Sequence, residues 1–76
     1  MKIIPKRPYR HFKGKLYYVI DILIDTETKE KIVSYQALYP PYENYARSLK
    51  SFIDIIPTNR KDNITKQKYR FELYSN

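Results

Sequence analysis

Apolar and polar positions alternate at a period of two along much of this chain, the pattern of half-buried β-strands. It is clearest from Leu16 to Ile24, where Leu16, Tyr18, Ile20, Ile22 and Ile24 fall on one face and are all apolar. The other face carries Tyr17, Val19, Asp21 and Leu23, a mixed set expected to be half exposed. The charged run Asp25 to Lys31 then reads as a hairpin loop, because Asp and Thr start turns through side-chain to backbone hydrogen bonds. A return strand follows from Ile32 to Tyr39, with Val33, Tyr35, Ala37 and Tyr39 on one face and Ser34 and Gln36 on the other, ended by Pro40-Pro41. Tyr9 to Phe12 predicts a short strand before a tight turn at Gly14, the single glycine. Lys66 to Tyr74 predicts the last strand, with Tyr69, Phe71 and Leu73 facing one way and Lys66, Lys68, Arg70 and Glu72 the other. Pro5 and Pro8 imply an extended basic arm over residues 1–8, and residues 59–65 a polar loop.

The segment after Pro41 reads two ways. Tyr45, Leu49, Phe52, Ile53 and Ile56 recur at helical spacing, so residues 42–56 taken alone form an amphipathic helix. Short words elsewhere bear on the choice. Tyr9-Arg10-His11-Phe12-Lys13-Gly14 with Lys15-Leu16-Tyr17, then Asp25-Thr26-Glu27-Thr28-Lys29-Glu30 and Tyr35-Gln36-Ala37-Leu38-Tyr39, then Arg47, Leu49, Phe52 and Arg70-Phe71, stand in a fixed order. In this the chain resembles a small bacterial and phage family, domain of unknown function 1653 (DUF1653), over nearly its whole length. The resemblance implies no reaction. It does imply a word Trp-Val-Arg-Pro-Leu around Arg47, with a proline where this chain has Ser48, and a proline there disrupts a continuous helix. The expectation is therefore a strand at about 43–47 and a helical turn at about 49–54. The predicted fold is mainly β, a small SH3-like, partly open barrel of about five short antiparallel strands with one helical turn. An OB-like barrel, or an α+β fold with a helix at 42–56, remain the alternatives.

At 76 residues the chain is expected to be a single domain, 1–76, burying only about 60% of the surface its unfolded form exposes. There is no Cys and one His, so the nine Tyr and three Phe must supply the core instead of a disulfide or metal; each ring buries about 150–250 Å². No apolar run approaches the roughly 20 residues that span a bilayer, and no apolar stretch follows the basic start as in a signal peptide. With the absence of cysteine, this predicts a soluble cytoplasmic protein with no membrane partner.

The net charge of +7 is unevenly placed: residues 1–15 carry +6, residues 60–70 carry +4, and residues 16–59 carry −2. His11 alone titrates near neutrality when unperturbed, but there is no cysteine nucleophile and no Ser in a nucleophile motif. The family resemblance implies a second His in a word His-Ser-Glu-Thr, and that position here is Asp25, so two-histidine chemistry does not carry over. Asp21, Asp25, Glu27 and Glu30 could in principle pair as carboxylates or hold a metal, but Asp25, Glu27 and Glu30 sit among Lys29 and Lys31 in a charge-balanced turn, and the chain has no zinc, calcium or phosphate-loop spacing. The expectation is a non-enzymatic protein with no metal and no cofactor.

Cations interleaved with aromatics are the main functional signal. Arg10, Lys13 and Lys15 lie close to Tyr9, Phe12 and Tyr17, while Lys68 and Arg70 alternate with Tyr69 and Phe71. Cations hold phosphates, and exposed rings stack bases at about 1–3 kcal/mol each. Phe12, Phe52 and Phe71 are expected in the core, while Tyr17, Tyr39, Tyr42 and Tyr45 suit either core or surface. Arg47 is either a clamp for phosphate or carboxylate or a structural ion pair with Glu43 or Asp21. The leading reading is a module for RNA or single-stranded DNA using Arg10, His11, Lys13, Lys15, Tyr17, Lys68 and Arg70, its positive face formed where the chain ends meet. A second is a homo-oligomer that binds a small anionic, nucleotide-like ligand with Arg47, Tyr35, Tyr39 and Gln36. A third is a protein-partner adaptor or inhibitor using the tyrosine-rich surface after Leu38.

Overall fold

The computed structural model describes residues 2–75. Five strands form one antiparallel sheet: β1 (Arg7–His11), β2 (Leu16–Ile24), β3 (Lys31–Ala37), β4 (Asn44–Ser48) and β5 (Phe71–Leu73). Their spatial order is β4-β3-β2-β1-β5, so the strands nearest the two chain ends are neighbours and β4 and β5 are the edges. With the edges unjoined, the sheet is the mainly β, partly open barrel that the alternation predicts.

The disputed segment is a strand followed by a single helical turn. β4 stops at Ser48, and α1 (Leu49–Phe52) begins with the Ser48 hydroxyl accepting a hydrogen bond from the Ser51 N–H at 3.2 Å. An N-cap serine satisfies a backbone donor that a helix start leaves open. The helical periodicity of residues 42–56 reflects burial of Phe52 and Ile56 (0% and 4% exposed) rather than a long helix.

The core face of β2 differs from the expected one. Val19, not its even-numbered neighbours, is fully buried, with Tyr17 packed beside it. A bulge explains the switch: Val19 pairs with Tyr35 but Asp21 pairs with Ser34, so Ile20 is an extra residue. An inserted residue reverses which parity faces inward. Before the bulge the odd positions Tyr17 and Val19 face the core, and after it Ile22 does, opposite Val33. Leu16, Tyr18 and Ile20 thus lie outside the core cluster, and Ile24 is 54% exposed.

Two further expectations shift. The last strand is only Phe71–Leu73, with Tyr69 joined to Ile55 by an isolated bridge. The N-terminal arm is extended but docked, since Arg7 and Pro8 belong to β1 and Ile3 is buried in the core. The Ile4 N–H donates to the Tyr9 hydroxyl at 2.8 Å and the Lys6 N–H to the Val19 carbonyl at 2.7 Å.

Aromatic rings hold the centre. Phe52 and Phe71 stack with centroids 4.0 Å apart, and Tyr9 and Tyr35 meet the Phe52 edge at 5.9 and 5.3 Å. Phe12, Phe52 and Phe71 are all core residues as expected. The polar loop 59–65 is anchored by fully buried Asn63, whose amide donates to the carbonyls of Pro57 and Gln67 and whose carbonyl accepts the Gln67 N–H. Gly14 turns the chain between β1 and β2 at a φ of 103°, against Ile64.

Candidate nucleic-acid interface on the concave face

Strand pairing decides which side chains share a face. Residues directly opposite each other point the same way, so Tyr17 aligns with Ala37 and Tyr9, Tyr35 with Val19 and Tyr45, and Arg47 with Val33. His11 lies opposite Phe71 across β1 and β5. The concave side of the sheet therefore sets His11, Tyr17 and Tyr35 around the Phe71 ring, at 4.9, 5.4 and 5.4 Å, with Tyr45 and Arg47 beyond Tyr35 on β4.

Tyr17 is the hub of a tyrosine cluster. Its ring meets Tyr35, Tyr39 and Tyr45 edge-on at 5.6, 5.5 and 6.5 Å. The Tyr17 and Tyr39 hydroxyls share a hydrogen bond of 2.6 Å. Desolvation, and after it this bond, raises the Tyr17 pKa, and desolvation also raises that of Tyr45, so both phenols stay protonated at neutral pH. Tyr45 is 43% exposed and tilts over Tyr35 at 5.6 Å. The Lys15 ammonium lies over Tyr39, 4.7 Å from the ring centre.

Arg47 stands at the β4 end of this wall. Its Nε donates to the Tyr35 hydroxyl at 3.3 Å and its Nη1 to the Ser51 hydroxyl at 2.8 Å. Both acceptors are neutral. Among the described residues no carboxylate pairs with Arg47, so the ion pair with Glu43 or Asp21 is not formed. Ser51 also receives Arg70, whose Nε donates to the Ser51 carbonyl at 2.9 Å while Nη2 pairs with Asp54 at 3.2 Å. The positive field reaches His11: burial, then Arg70, Lys13 and Arg47, lower its pKa to about 4. His11 is neutral at pH 7, its Nδ1 accepting the Lys13 N–H at 3.1 Å.

Of the residues singled out in the sequence, His11, Lys15, Tyr17, Tyr35, Tyr39, Arg47 and Arg70 come together here. Lys13 sits at the margin, 3.7 Å from Asp62. Arg10, Gln36 and Lys68 do not join them. Arg10 pairs with Glu72 and Leu16 on the convex side, where its guanidinium donates to Gln67 at 3.0 Å and lies over Tyr74. Gln36 alternates away from Tyr35 and donates to the Tyr42 carbonyl. Lys68 lies over Tyr69 in the segment before β5. The chain ends do meet through β1 and β5, but their cations divide between the two faces of the sheet. Ser51 was not legible in advance, because a strand-to-helix junction places it four residues from Arg47 without a repeating pattern.

A family model described as "Protein of unknown function (DUF1653)" matches residues 7–73. The chain belongs to the DUF1653 family. No curated protein matches it, and no solved structure does. The matched span holds the whole concave cluster of this DUF1653 domain, from His11 through Arg70. Membership brings no reaction with it, so the function must be argued from the cluster. Among the described residues no helix is long and apolar enough to cross a membrane.

Proposed function

We propose that this DUF1653 domain is a non-enzymatic module that binds single-stranded nucleic acid across its concave tyrosine and arginine face. The observation that carries the reading is Arg47: a half-buried guanidinium held by two neutral hydroxyls, without a carboxylate, beside an exposed Tyr45 ring. An arginine held in this way keeps its charge and its remaining donors for an external anion. An open ring next to it offers a stacking platform for a base. The surplus of positive charge argues against the other use of an aromatic cluster, capture of a cation.

The shape of the face favours a strand over a free nucleotide. Pockets bury about 70–90% of a small ligand, and three hollows among the described residues are lined by side chains outside the cluster. One of about 410 Å³ is bounded by Arg7, Pro8, Leu16 and Leu73 to Ser75, one of about 210 Å³ by Glu30, Lys31 and Ser48 to Lys50, and one of about 160 Å³ by Arg10, Gln67 and Glu72 to Ser75. His11, with its pKa lowered to about 4, is a weak base at neutral pH, which agrees with binding rather than catalysis. The cellular setting that fits this reading is the cytoplasm of a bacterial or phage-infected cell.

The test is a fluorescence-anisotropy titration against single-stranded and duplex oligonucleotides at two salt concentrations. The expected result is preference for the single strand, weakening as salt rises, and a loss of about 1–3 kcal/mol in Tyr45→Ala. No binding at low salt, or full affinity in Tyr45→Ala, would overturn the proposal.

A further inference from the structure

The two arginines of the concave face converge on one residue. Arg47 reaches the Ser51 hydroxyl and Arg70 the Ser51 carbonyl, and both lower the pKa of His11. Like charges are not gathered without cost. Two carboxylates border the group: Asp54, 51% exposed in its side chain, pairs with Arg70, and Asp62, which acts on His11 against the cations, lies 3.7 Å from Lys13, so neither serves Arg47. Each guanidinium carries five N–H donors, of which two are used within the protein on each arginine. The remainder are free for a ligand.

The position is recessed as well as basic. The Arg70 side chain is only 22% exposed, held from above by α1 through Ser51 and from the side by Asp54. Directly after Arg47 the chain leaves β4 at Ser48 and turns into α1, which carries Ser51 back to both arginines. Tyr45, 43% exposed, lies two residues before Arg47 on β4, so a nucleic-acid strand stacked there has its phosphate beside the arginines.

We propose, building on the single-strand reading above, that Arg47 and Arg70 around Ser51 form a seat for a terminal phosphate monoester, so that the domain engages a strand by its phosphorylated end. The chemistry favours an end over an interior phosphate. A monoester carries about −1.5 to −2 charge at pH 7 and three acceptor oxygens, against a single charge and two free oxygens for a diester. Two guanidinium groups match the first ligand better.

The experiment compares four oligonucleotides of one sequence against the wild-type chain at low salt: 5′-phosphorylated, 3′-phosphorylated, unphosphorylated, and circular. The expected result is at least about tenfold tighter binding of one phosphorylated form, with the circle no tighter than the unphosphorylated strand. Arg47→Lys should erase most of that difference while retaining the weaker binding, because a lysine keeps the charge but not the forked donors. Arg70 also anchors α1, so the comparison on the wild-type chain carries the test without a variant there. Equal affinity for all four would overturn the end seat and leave the single-strand reading standing. Absence of binding to any of them would remove both.

Discussion

Replacing Arg47 with methionine separates a binding arginine from a structural one. Methionine keeps much of the aliphatic volume and deletes the charge. The structure loses two hydrogen bonds, to Tyr35 at 3.3 Å and Ser51 at 2.8 Å. Bonds to a charged group contribute about 1.5–3 kcal/mol each, and the long Tyr35 contact belongs at or below the bottom of that range. Against this loss stands relief of a half-buried charge with no carboxylate, a burden that reaches several kcal/mol when burial is complete. The two terms largely offset, so the expected stability change is within about 1 kcal/mol, or roughly 4–8 °C in Tm for a domain of this size. Affinity behaves differently. Loss of one arginine–phosphate contact removes about 1.5–3 kcal/mol, roughly ten- to hundredfold in Kd. The slope of log K against log salt should also flatten by about 0.7 for a single strand. Thermal melts followed by circular dichroism give the first quantity, and anisotropy titrations at several salt concentrations give the second. A fall in Tm well beyond 10 °C (roughly, by the same scaling) with unchanged affinity would refute the reasoning and make Arg47 a structural residue.

Three further outcomes follow from the packing. Phe52→Ala removes the ring that stacks on Phe71 and should cost about 3–5 kcal/mol, enough to leave the domain largely unfolded in a urea titration at 25 °C; a cost under about 1 kcal/mol would contradict the core assignment. Gly14→Ala forces a side chain into a φ of 103° with its Cβ 3.0 Å from Ile64 Cδ1, and should lower stability by about 1–2 kcal/mol with little change in affinity, read by the same melts and titrations. His11 holds its folded-state pKa at about 4, below the 6.5 of the unfolded chain, so the unfolded state binds more protons between these values. Its contribution to stability is full above about pH 6.5 and is lost as pH falls toward 4. Urea melts across that range should show the loss in the wild type and much less of it in His11→Asn, and an NMR titration midpoint near 6.5 in the folded protein would contradict the buried, cation-flanked site.

Local chemistry made much of this fold legible. Charge runs and prolines marked the turns, the alternation in residues 32–37 correctly paired Val33, Tyr35 and Ala37 on the buried face, and the three phenylalanines had nowhere to go but the core. The family's word around Arg47, with a proline where this chain has Ser48, located the strand-to-helix switch that periodicity alone misread. What stayed hidden depended on contacts between distant segments. A period-two reading assumes no inserted residue, so the bulge at Ile20, defined only by the register with β3, reversed the expected face of β2 up to Val19 and left Ile22 on the expected side. The meeting of β1 and β5 brought the basic chain ends together, yet alternation sent Arg10 to one side of the sheet and His11 to the other. Composition and spacing could name Arg47 as an arginine beside aromatics; only the tertiary structure showed its acceptors to be Tyr35 and Ser51 rather than Glu43 or Asp21. Sequence determines which groups a chain carries and how each short segment alternates, because those are local properties of the backbone. Which charge is left without a partner is settled across strands, because only the folded sheet brings residues far apart in sequence to within hydrogen-bonding distance.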